Sequence, residues 1–363
     1  MDLAFVNGPI QNGLFTFRSA PGKAVGLLAA EALNDLLENP VARHLWNCAT
    51  LANDLRYRTV RGTLAREAFE SDGIRDKYSG SAWEYAAVST TTDADPEVRI
   101  LALELISERL STGDLVISPE DVHVCAVCGH MVGAAAPYMC AACGSGRFRD
   151  EKQWHLILTR PTGWPVLDHA EVYGTGRVRH LKTNAAHAPE RLVLSRTRGH
   201  GIGLDGLGLP GLVLDPRAAV HVTTLAEGRR LGAKRIVMTA TPTAIANIAA
   251  YGSPFRECAE TRLLYGPHCR LPSPAVQLAD VSSEDRLRFL FRRWFLPIAA
   301  LGNTTDIPNT QIPALFAYFR RAYLRSGKTA EDGTGSLQMA IKAGEHRWVM
   351  DKEQLAEAVR TLR

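Results

Sequence analysis

The chain of 363 residues is longer than one compact core usually fills, so we expect one large domain that carries an insert and an appended segment. With 46% hydrophobic and 22% charged residues it has the composition of an ordinary globular protein, and its net charge of +4 is too small to indicate a dedicated nucleic-acid binder. No apolar run reaches the length of a membrane span and no signal peptide precedes the first predicted strand, so we expect a cytoplasmic protein without a membrane partner.

The first third of the chain alternates strands with helices. Residues 2–6 predict a buried strand, a loop rich in glycine and proline follows, and residues 22–37 show apolar side chains at helical spacing. A strand, a glycine loop and a helix open a nucleotide-binding α/β unit, in which ligands bind at the carboxyl ends of the strands. Further predicted elements are a strand over 45–49, a helix over 96–112 and a strand over 115–117.

Four of the seven cysteines form two pairs, each with two residues between its members: Cys125, Cys128, Cys140 and Cys143. A Cys-x-x-Cys turn directs two thiolates at one point, and a second turn completes a tetrahedron of sulfur ligands suited to zinc. A glycine follows each pair, where the tight turn favours positive φ. Two disulfides or four core cysteines are the alternatives, but this spacing favours the metal. Because the protein supplies all four ligands, we predict structural zinc.

Strands and helices continue after the cysteines. Gly201, Gly203 and Gly206 match the spacing of the dinucleotide fingerprint, but Pro210 and further glycines follow where that fingerprint requires a helix, so we interpret the segment as a turn. Ser195, His200 and Asp205 are close in sequence, but no nucleophile elbow surrounds the serine, so we predict no catalytic triad. Strands are predicted over 154–158, 192–195, 234–238 and 261–265, helices over 242–250, 286–295, 313–324 and 352–362, and glycine-rich turns over 199–211 and 327–335.

The order of these motifs resembles the methionyl-tRNA synthetases, a family of class I aminoacyl-tRNA synthetases. Residues 5–10, Phe-Val-Asn-Gly-Pro-Ile, look like the strand and Asn-Gly-Pro turn before the family's His-Ile-Gly-His signature, and the cysteine pairs match its zinc knuckle. Residues 195–202 resemble its Arg and Trp-Gly-Ile-Pro segment. The resemblance covers about residues 2–324 and implies an α/β fold. Its parts are a Rossmann-like class I synthetase catalytic domain (1–112 and 161–296), a zinc-knuckle insert (113–160) and a short helical C-terminal segment (297–363).

The first of three departures falls on the His-Ile-Gly-His signature. Aligned on the Asn-Gly-Pro turn, that tetrad falls on residues 11–14, so both histidines are replaced. In the family the imidazoles stabilise charge on the ATP phosphates. Glutamine and asparagine can donate neutral hydrogen bonds there but supply no charge. The resemblance therefore implies substrate or nucleotide contacts from Asn7, Gly8, Pro9 and Gly13, with Gln11 and Asn12 as polar catalytic donors.

The other two ATP signatures are altered as well. Residues 240–243 stand where the family's Gly-Lys-Asp-Asn turn would lie, and they lack its carboxylate. The Lys-Met-Ser-Lys-Ser loop falls on residues 268–273, where we expect Arg270 to contact phosphate as a catalytic cation while two prolines stiffen the loop. His221 lies near the expected substrate-lining aromatic residue, so the methionine pocket is predicted to be altered.

These departures argue against ordinary charging of tRNA with methionine, as do the fewer than seventy residues that follow Pro297, too few for the family's anticodon-binding bundle. The first hypothesis is an enzyme that activates an amino acid, or transfers it to a small-molecule acceptor, outside translation. Synthetase-like paralogues in specialised metabolism join an amino acid to an N-hydroxylated amine in this way, on the route to hydrazines. Structural zinc is the predicted cofactor. ATP use stays open, because a preformed aminoacyl-tRNA or adenylate could be the donor.

The second hypothesis is a catalytically degenerate pseudo-synthetase that binds a ligand or a partner enzyme. The two hypotheses differ in whether basic side chains converge near Gly13. A zinc-ribbon nucleic-acid module is a third class, but within residues 125–143 only His130 could carry positive charge. The basic candidates for convergence are Arg18, Lys23, Arg196, Arg198, His200 and Arg270.

Overall fold

The computed structural model describes residues 1–8, 25–46, 90–132, 138–140, 142–161, 163–174, 181, 189–272, 275, 286–302, 305–327 and 334–362. Several predicted site residues lie outside the described residues, namely Pro9, Gln11, Asn12, Gly13, Arg18 and Lys23. The strands are β1 (Leu3–Asn7), β2 (His44–Trp46), β3 (Thr90–Thr92), β4 (Leu115–Cys125), β5 (Phe148–Thr159), β6 (Arg191–Val193), β7 (Ser195–Arg196), β8 (Val213–Leu214), β9 (Arg235–Ala240), β10 (Glu257–Cys258) and β11 (Thr261–Pro267). The helices are α1 (Val25–Leu36), α2 (Pro96–Thr112), α3 (Pro216–Leu231), α4 (Pro242–Gly252), α5 (Arg286–Leu290), α6 (Leu296–Gly302), α7 (Ile312–Arg325), α8 (Thr334–Ala343) and α9 (Lys352–Thr361).

A four-stranded sheet in the order β1-β9-β11-β10 lies at the centre of the fold. Strands β1, β9 and β11 are parallel, and β10 runs antiparallel at the edge. Successive side chains point to opposite faces, so Phe5 packs into one hydrophobic core and Val6 into another. The same alternation on β9 separates Val237 from Met238. Both faces are therefore buried, as in parallel sheets generally, and the predicted mixed α/β class is confirmed.

Helices cover both faces of this sheet. Helix α1 and the C-terminal helices α5 to α9 share the core that contains Phe5, with a π-helical turn over Phe291–Phe295 between α5 and α6. Helices α2, α3 and α4 share the core that contains Val6. None of the described helices combines the length and the apolar character that crossing a bilayer requires.

Strands β4 and β5 form a long antiparallel hairpin. Pairing extends from Leu115 opposite Leu158 to Cys125 opposite Phe148, so the predicted strands 115–117 and 154–158 correspond only to its base. Strand β6 adds a third strand at that base. The hairpin therefore carries the cysteine pairs at its far end.

Helix α3 and most of helix α8 are not among the predicted elements. At the start of α3, Asp215 accepts a hydrogen bond from the Arg217 amide through Oδ1 at 2.9 Å, and Pro216 occupies the first turn. Gly232 ends the helix with φ of +64°. These are the usual start and stop signals of a helix. Helix α8 begins within the predicted glycine-rich turn over 327–335.

Candidate functional site

The three parallel strands end in register at one edge of the central sheet. Asn7 of β1 lies opposite Thr239 of β9, and Gly266 of β11 lies opposite the same threonine on its other side. The Gly8 amide donates to the carbonyl oxygen of Thr239 at 2.7 Å, and a Cβ on Gly8 would lie 2.6 Å from that oxygen. Only glycine allows this approach. The predicted contact residues Asn7 and Gly8 thus lie at the edge where ligands bind in open α/β sheets.

Polar side chains converge at this edge around Gly26 of α1. A Cβ built on Gly26 would lie 2.8 Å from Oδ1 of Asn7, 2.9 Å from Nε2 of His268 and 3.1 Å from Oγ1 of Thr239. We call Asn7, Thr239 and His268 the strand-end cluster. All three are buried, with exposed fractions of 5%, 1% and 6%. Hydrogen bonds made by such buried groups are stronger than those made in water.

Hydrogen bonds fix the orientation of the strand-end cluster. The Thr239 hydroxyl lies 2.8 Å from the carbonyl oxygen of Gly26 and so ties α1 to the sheet. The His268 amide donates to the carbonyl of Ala240 at 3.1 Å, and its ring Nδ1 lies 3.0 Å from the carbonyl oxygen of Cys269. A carbonyl oxygen only accepts, so Nδ1 carries the ring proton. Nε2 of His268 lies on the side of the ring that faces Gly26.

Arg270, the predicted phosphate contact, follows the strand-end cluster by two residues. Its amide donates to Oδ1 of Asp306 at 2.8 Å, and its carbonyl accepts from the Ile307 amide at 3.2 Å. The Cys269 amide donates to the carbonyl of Ala300 at 3.1 Å. These bonds fix the backbone of the segment to α6 and to the connection before α7. Within the described residues, the exposed guanidinium of Arg270 has no hydrogen-bond or ion-pair partner.

His221, predicted to lie near the substrate, is fully enclosed on α3. Its Nδ1 donates to the carbonyl of Arg217 at 2.7 Å, and its Nε2 accepts from the Tyr265 hydroxyl at 2.7 Å. Burial, and next the nearby guanidinium of Arg256, hold the pKa of His221 well below its ordinary value, so the ring is neutral. His221 therefore connects α3 to β11. Contact between its ring and a substrate stays a prediction.

Two further basic residues from the sequence analysis make structural contacts. Arg196 donates through Nε to Oδ2 of Asp215 at 2.6 Å, and Arg217 donates through Nη2 to the same atom at 2.9 Å. Burial alone would raise the pKa of Asp215, but these guanidinium groups outweigh it and lower that pKa. Arg198 donates through Nη1 to Nε2 of His130 at 3.0 Å. Arg196 thus supports the start of α3, and Arg198 contacts the segment after the first cysteine pair.

The predicted absence of a triad is consistent with the contacts of Ser195. Its buried hydroxyl accepts from the Leu156 amide at 3.1 Å and lies 2.8 Å from Nδ1 of His155, not beside His200. Asp205 accepts from the amide of Gly211 at 3.1 Å. These polar groups stabilise turns and strand junctions.

The four predicted metal ligands meet at the far end of the β4–β5 hairpin: Cys125, Cys128, Cys140 and Cys143. Their Sγ atoms all lie within 4.8 Å of one another. Sγ of Cys125 is 3.5 Å from that of Cys143, and Sγ of Cys128 is 3.6 Å from that of Cys140. The glycine after each pair donates its amide to the carbonyl of the first cysteine at 2.9 Å. Its φ is +70° in the first turn and +76° in the second, as predicted.

This cysteine knuckle fits a zinc ion. Tetrahedral coordination with a Zn–S distance of about 2.3 Å places neighbouring sulfurs about 3.8 Å apart, close to the spacing in the knuckle. Burial opposes ionisation of Cys125, but the amides of Cys128 and Val127 and the Cys143 thiol outweigh it and lower the pKa of Cys125 to about 6. Burial, with the neighbouring sulfurs, raises the pKa of Cys128 to about 12. Full ionisation of the set therefore requires a cation, and the four thiolates could hold zinc without an open position.

Comparison with known proteins agrees with this geometry at the level of the fold. No protein-family model and no curated protein matches the chain. Two solved structures of Mycobacterium tuberculosis methionyl-tRNA synthetase bound to methionyl-adenylate are similar to it, with TM-scores of 0.53 and 0.52. The chain has a methionyl-tRNA-synthetase-like fold. The alignments cover 98% of this chain and 82% of each synthetase, at 12% and 11% identity.

The comparison confirms a methionyl-tRNA-synthetase-like fold, while the Rossmann-like details and the domain bounds stay predictions. The role of the altered ATP signatures stays a prediction. Sequence reasoning placed Asn7 and Gly8 at the ligand-binding edge but did not single out Thr239 or His268. Their signal was available only in part. Thr239 directly follows the predicted strand over 234–238, whereas His268 lies three residues beyond the predicted strand over 261–265, and polar residues near strand ends are candidates in any open α/β sheet.

Proposed function

We propose that this chain is a methionyl-tRNA-synthetase-like aminoacyl transferase that works outside translation. It would take an amino acid that is already activated, as an aminoacyl-tRNA or aminoacyl-adenylate, and pass it to a small-molecule acceptor. The observation that supports this best is the strand-end cluster, which gathers an amide, a hydroxyl and an imidazole at the ligand-binding edge. Neutral donors and acceptors suit an ester and an amine better than a triphosphate.

The distribution of positive charge favours a preformed donor over ATP-dependent activation. Phosphoryl chemistry depends on cations placed against the phosphate oxygens. Among the described residues of the edge segments, Arg270 is an exposed cation without a partner, whereas Arg196 is paired with Asp215 and Arg198 with His130. One arginine can hold the single phosphate of an adenylate or of a tRNA terminus.

The similar structures support an aminoacyl donor of this kind. Both contain methionyl-adenylate, an amino acid in activated form. We infer that the ligand-binding edge of this chain binds the corresponding part of its own donor, with Asn7 and Gly8 against the aminoacyl group and Arg270 against the phosphate. The resemblance places His221 near the family's substrate-lining aromatic residue, so we propose an amino acid other than methionine.

Zinc in the cysteine knuckle would have a structural role. Four thiolates leave no coordination position for a substrate, so the metal would close the far end of the β4–β5 hairpin and supply no Lewis-acid chemistry. The knuckle contacts the chain after β7, because the Met131 amide donates to the Thr197 hydroxyl at 2.5 Å. We propose that the loaded knuckle orders this segment next to the start of α3.

Transfer can be tested without knowledge of the natural acceptor. Zinc-loaded protein is incubated with a panel of aminoacyl-tRNAs and with hydroxylamine, and aminoacyl hydroxamate is measured above the uncatalysed background. We expect one or a few aminoacyl groups to be transferred, and Arg270→Gln to weaken the reaction about tenfold through loss of one charge-assisted phosphate contact. Arg262→Gln, at an exposed position of β11, is the matched control and should leave transfer unchanged.

A ligand-binding pseudo-synthetase is the second candidate, and the burial of the strand-end cluster favours it. Asn7, Thr239 and His268 are almost inaccessible, as expected for groups that hold a structure together. In that case no donor would yield hydroxamate, while Arg270→Gln would still weaken the binding of an aminoacyl-adenylate analogue. The two readouts together separate the two functions.

A further inference from the structure

We propose that the cysteine knuckle is a reversible redox switch, in which hydrogen peroxide oxidises the four thiolates to two disulfides, Cys125–Cys143 and Cys128–Cys140, and releases the zinc. The inference goes beyond aminoacyl transfer and does not depend on it. The four side chains fit the metal in number, type and spacing. Zinc holds cysteines as thiolates, which is the form that peroxides attack.

The sulfur contacts in the knuckle each join an exposed thiol to a buried one. Sγ of the exposed Cys143 lies 3.5 Å from Sγ of the buried Cys125, and Sγ of the exposed Cys128 lies 3.6 Å from Sγ of the buried Cys140. An S–S bond is about 2.05 Å long, so each pair has to approach by about 1.5 Å. The exposed thiolate meets the oxidant from solvent, and the buried thiolate next to it completes the disulfide.

Both contacts link one turn of the knuckle to the other. Backbone bonds hold the same parts together: the Ala126 amide donates to the carbonyl of Arg147 at 2.9 Å, and Nη1 of Arg149 donates to the carbonyl of Ala126 at 3.1 Å. Cys125 also ends β4 opposite Phe148, the first residue of β5. Disulfides between the turns therefore keep the end of the hairpin closed after the metal has left. Reduction and fresh zinc can then restore the original site.

Oxidation of the first pair consumes one hydrogen peroxide. The thiolate of Cys143 attacks one peroxide oxygen, the O–O bond breaks, and a sulfenic acid and a hydroxide form. The thiolate of Cys125 attacks the sulfenic sulfur, the S–S bond forms, and a second hydroxide leaves. Two electrons pass from the sulfurs to the peroxide, and two protons convert the hydroxides to water. Zinc leaves at this stage, because the two remaining thiolates are too few to hold it, and a second peroxide oxidises them in the same way.

The switch reaches the chain after β7 through His130 and Arg198. The His130 carbonyl accepts from the Cys125 amide at 2.9 Å, and Nε2 of His130 lies 3.0 Å from Nη1 of Arg198. Zinc with four thiolates carries a net negative charge, whereas two disulfides are neutral. Oxidation thus removes negative charge from the neighbourhood of a half-buried guanidinium, which is costly to leave uncompensated. We expect the segment around Arg198 to open more readily in the oxidised protein.

The test adds hydrogen peroxide in steps to the zinc-loaded native protein and measures released zinc with a chromogenic chelator. A sample without peroxide gives the background. We expect release to be complete after about one peroxide per zinc, since the first disulfide already removes two ligands. Hydrogen exchange of the amides at residues 197–200 should be faster in the oxidised protein than in the zinc-loaded one. Dithiothreitol with added zinc should restore both the metal content and the slow exchange.

Peptide mapping without reduction identifies the bonds that form. We expect the two disulfides between the turns. Cys258 and Cys269, which are buried and lie outside the knuckle, are the internal control and should stay reduced. We expect the knuckle thiols to react at least about tenfold faster than these two, because a buried cysteine in apolar surroundings is inert.

Three results would contradict the switch. Disulfides within a turn, Cys125–Cys128 or Cys140–Cys143, would overturn the proposed pairing. Zinc that stays bound in excess peroxide, or that does not return after reduction, would overturn the reversible release. None of these readouts uses aminoacyl transfer, so failure of the switch and failure of the proposed function are observed separately.

Discussion

Arg198 donates a hydrogen bond from Nη1 to Nε2 of His130 at 3.0 Å and so joins the segment after β7 to the segment that follows the first cysteine pair. Burial, and next the neighbouring Arg196, lower the pKa of Arg198 to about 10, while Asp215 and, more weakly, Cys140 act in the opposite direction. A partly buried cation of this kind is stabilised by an adjacent anion. A zinc ion with four thiolates carries a net negative charge, so Arg198 is placed to balance the loaded knuckle.

We therefore expect Arg198→Gln to weaken zinc binding about tenfold to 100-fold, as is usual when a group outside the ligand set is removed. Competition with a chelator of known affinity measures the change. Arg99→Gln, which removes an exposed arginine from α2, is the control and should leave the affinity unchanged. Equal affinities of the native protein and Arg198→Gln would show that Arg198 does not balance the metal site.

Removal of one predicted ligand should abolish tight metal binding. Cys143→Ser leaves three thiolates and exchanges a sulfur for a hydroxyl that rarely ionises, so we expect zinc content to fall well below one ion per chain and the melting temperature to drop. Cys258→Ser, which changes a buried cysteine of β10 outside the knuckle, should retain the zinc. Metal analysis after dialysis gives the comparison directly. Retention of a full zinc equivalent by Cys143→Ser would exclude the four-thiolate site.

The spacing of the strand-end cluster makes Gly26 sensitive to a single methyl group. Gly26→Ala would bring a Cβ to within 3.1 Å of polar atoms of Asn7, His268 and Thr239, so we expect a loss of about 2 kcal/mol in the free energy of unfolding. The loss should appear although alanine favours a helix by about 1 kcal/mol over glycine. Urea titration measures it. Gly206→Ala, with no atom near the new methyl group, is the control, and a Gly26→Ala variant as stable as this control would contradict the packing described here.

Burial of a neutral His221 predicts lower stability at acidic pH. The pKa of His221 is depressed in the folded protein. Below the ordinary histidine pKa of about 6.5, His221 therefore binds a proton in the unfolded chain but not in the folded protein. The contribution of His221 to the free energy of unfolding is therefore constant above that pH. It decreases by about 1.4 kcal/mol per pH unit as the pH falls below it. His155 contributes with the same sign, because burial lowers its pKa too.

The measurement is urea unfolding of the native protein and His221→Gln at several pH values between 5 and 8. The variant loses the hydrogen bond to Tyr265, so it should be less stable at neutral pH, but its stability should fall less steeply below pH 6.5. Parallel curves for the two proteins would mean that His221 becomes protonated without unfolding.

The sequence predicts the parts of this fold that carry local signals. The cysteine pairs and their glycines determine the knuckle turns, Asp95, Pro96 and Gly113 bound helix α2 as predicted, and the apolar run of β1 indicates a buried strand. Helix α3 has equally clear ends, but it is buried on most sides. Buried Thr223 and Thr224 interrupt its apolar pattern, so periodicity does not indicate a helix there.

The candidate site is less accessible to sequence reasoning because it depends on strand register. Thr239 and His268 meet Asn7 only because β9 and β11 pair with β1 in one particular alignment, which no local pattern encodes. Nothing in the local sequence distinguishes Gly26 from other residues of its helix, because the polar atoms around it come from distant segments. The length of the β4–β5 hairpin could not be predicted from the sequence either. Pro119 and Asp121 interrupt the apolar pattern of β4, but backbone pairing continues through them.

The central claim, that this site uses an activated amino acid rather than ATP, is tested most directly by amino-acid-dependent exchange of pyrophosphate into ATP, run beside hydroxamate formation from aminoacyl-tRNAs. Both reactions use the same zinc-loaded protein and all twenty standard amino acids. The account predicts hydroxamate from at least one aminoacyl-tRNA and no pyrophosphate exchange above background with any amino acid. Robust exchange with one amino acid would contradict it and show that the altered signatures still form an adenylate.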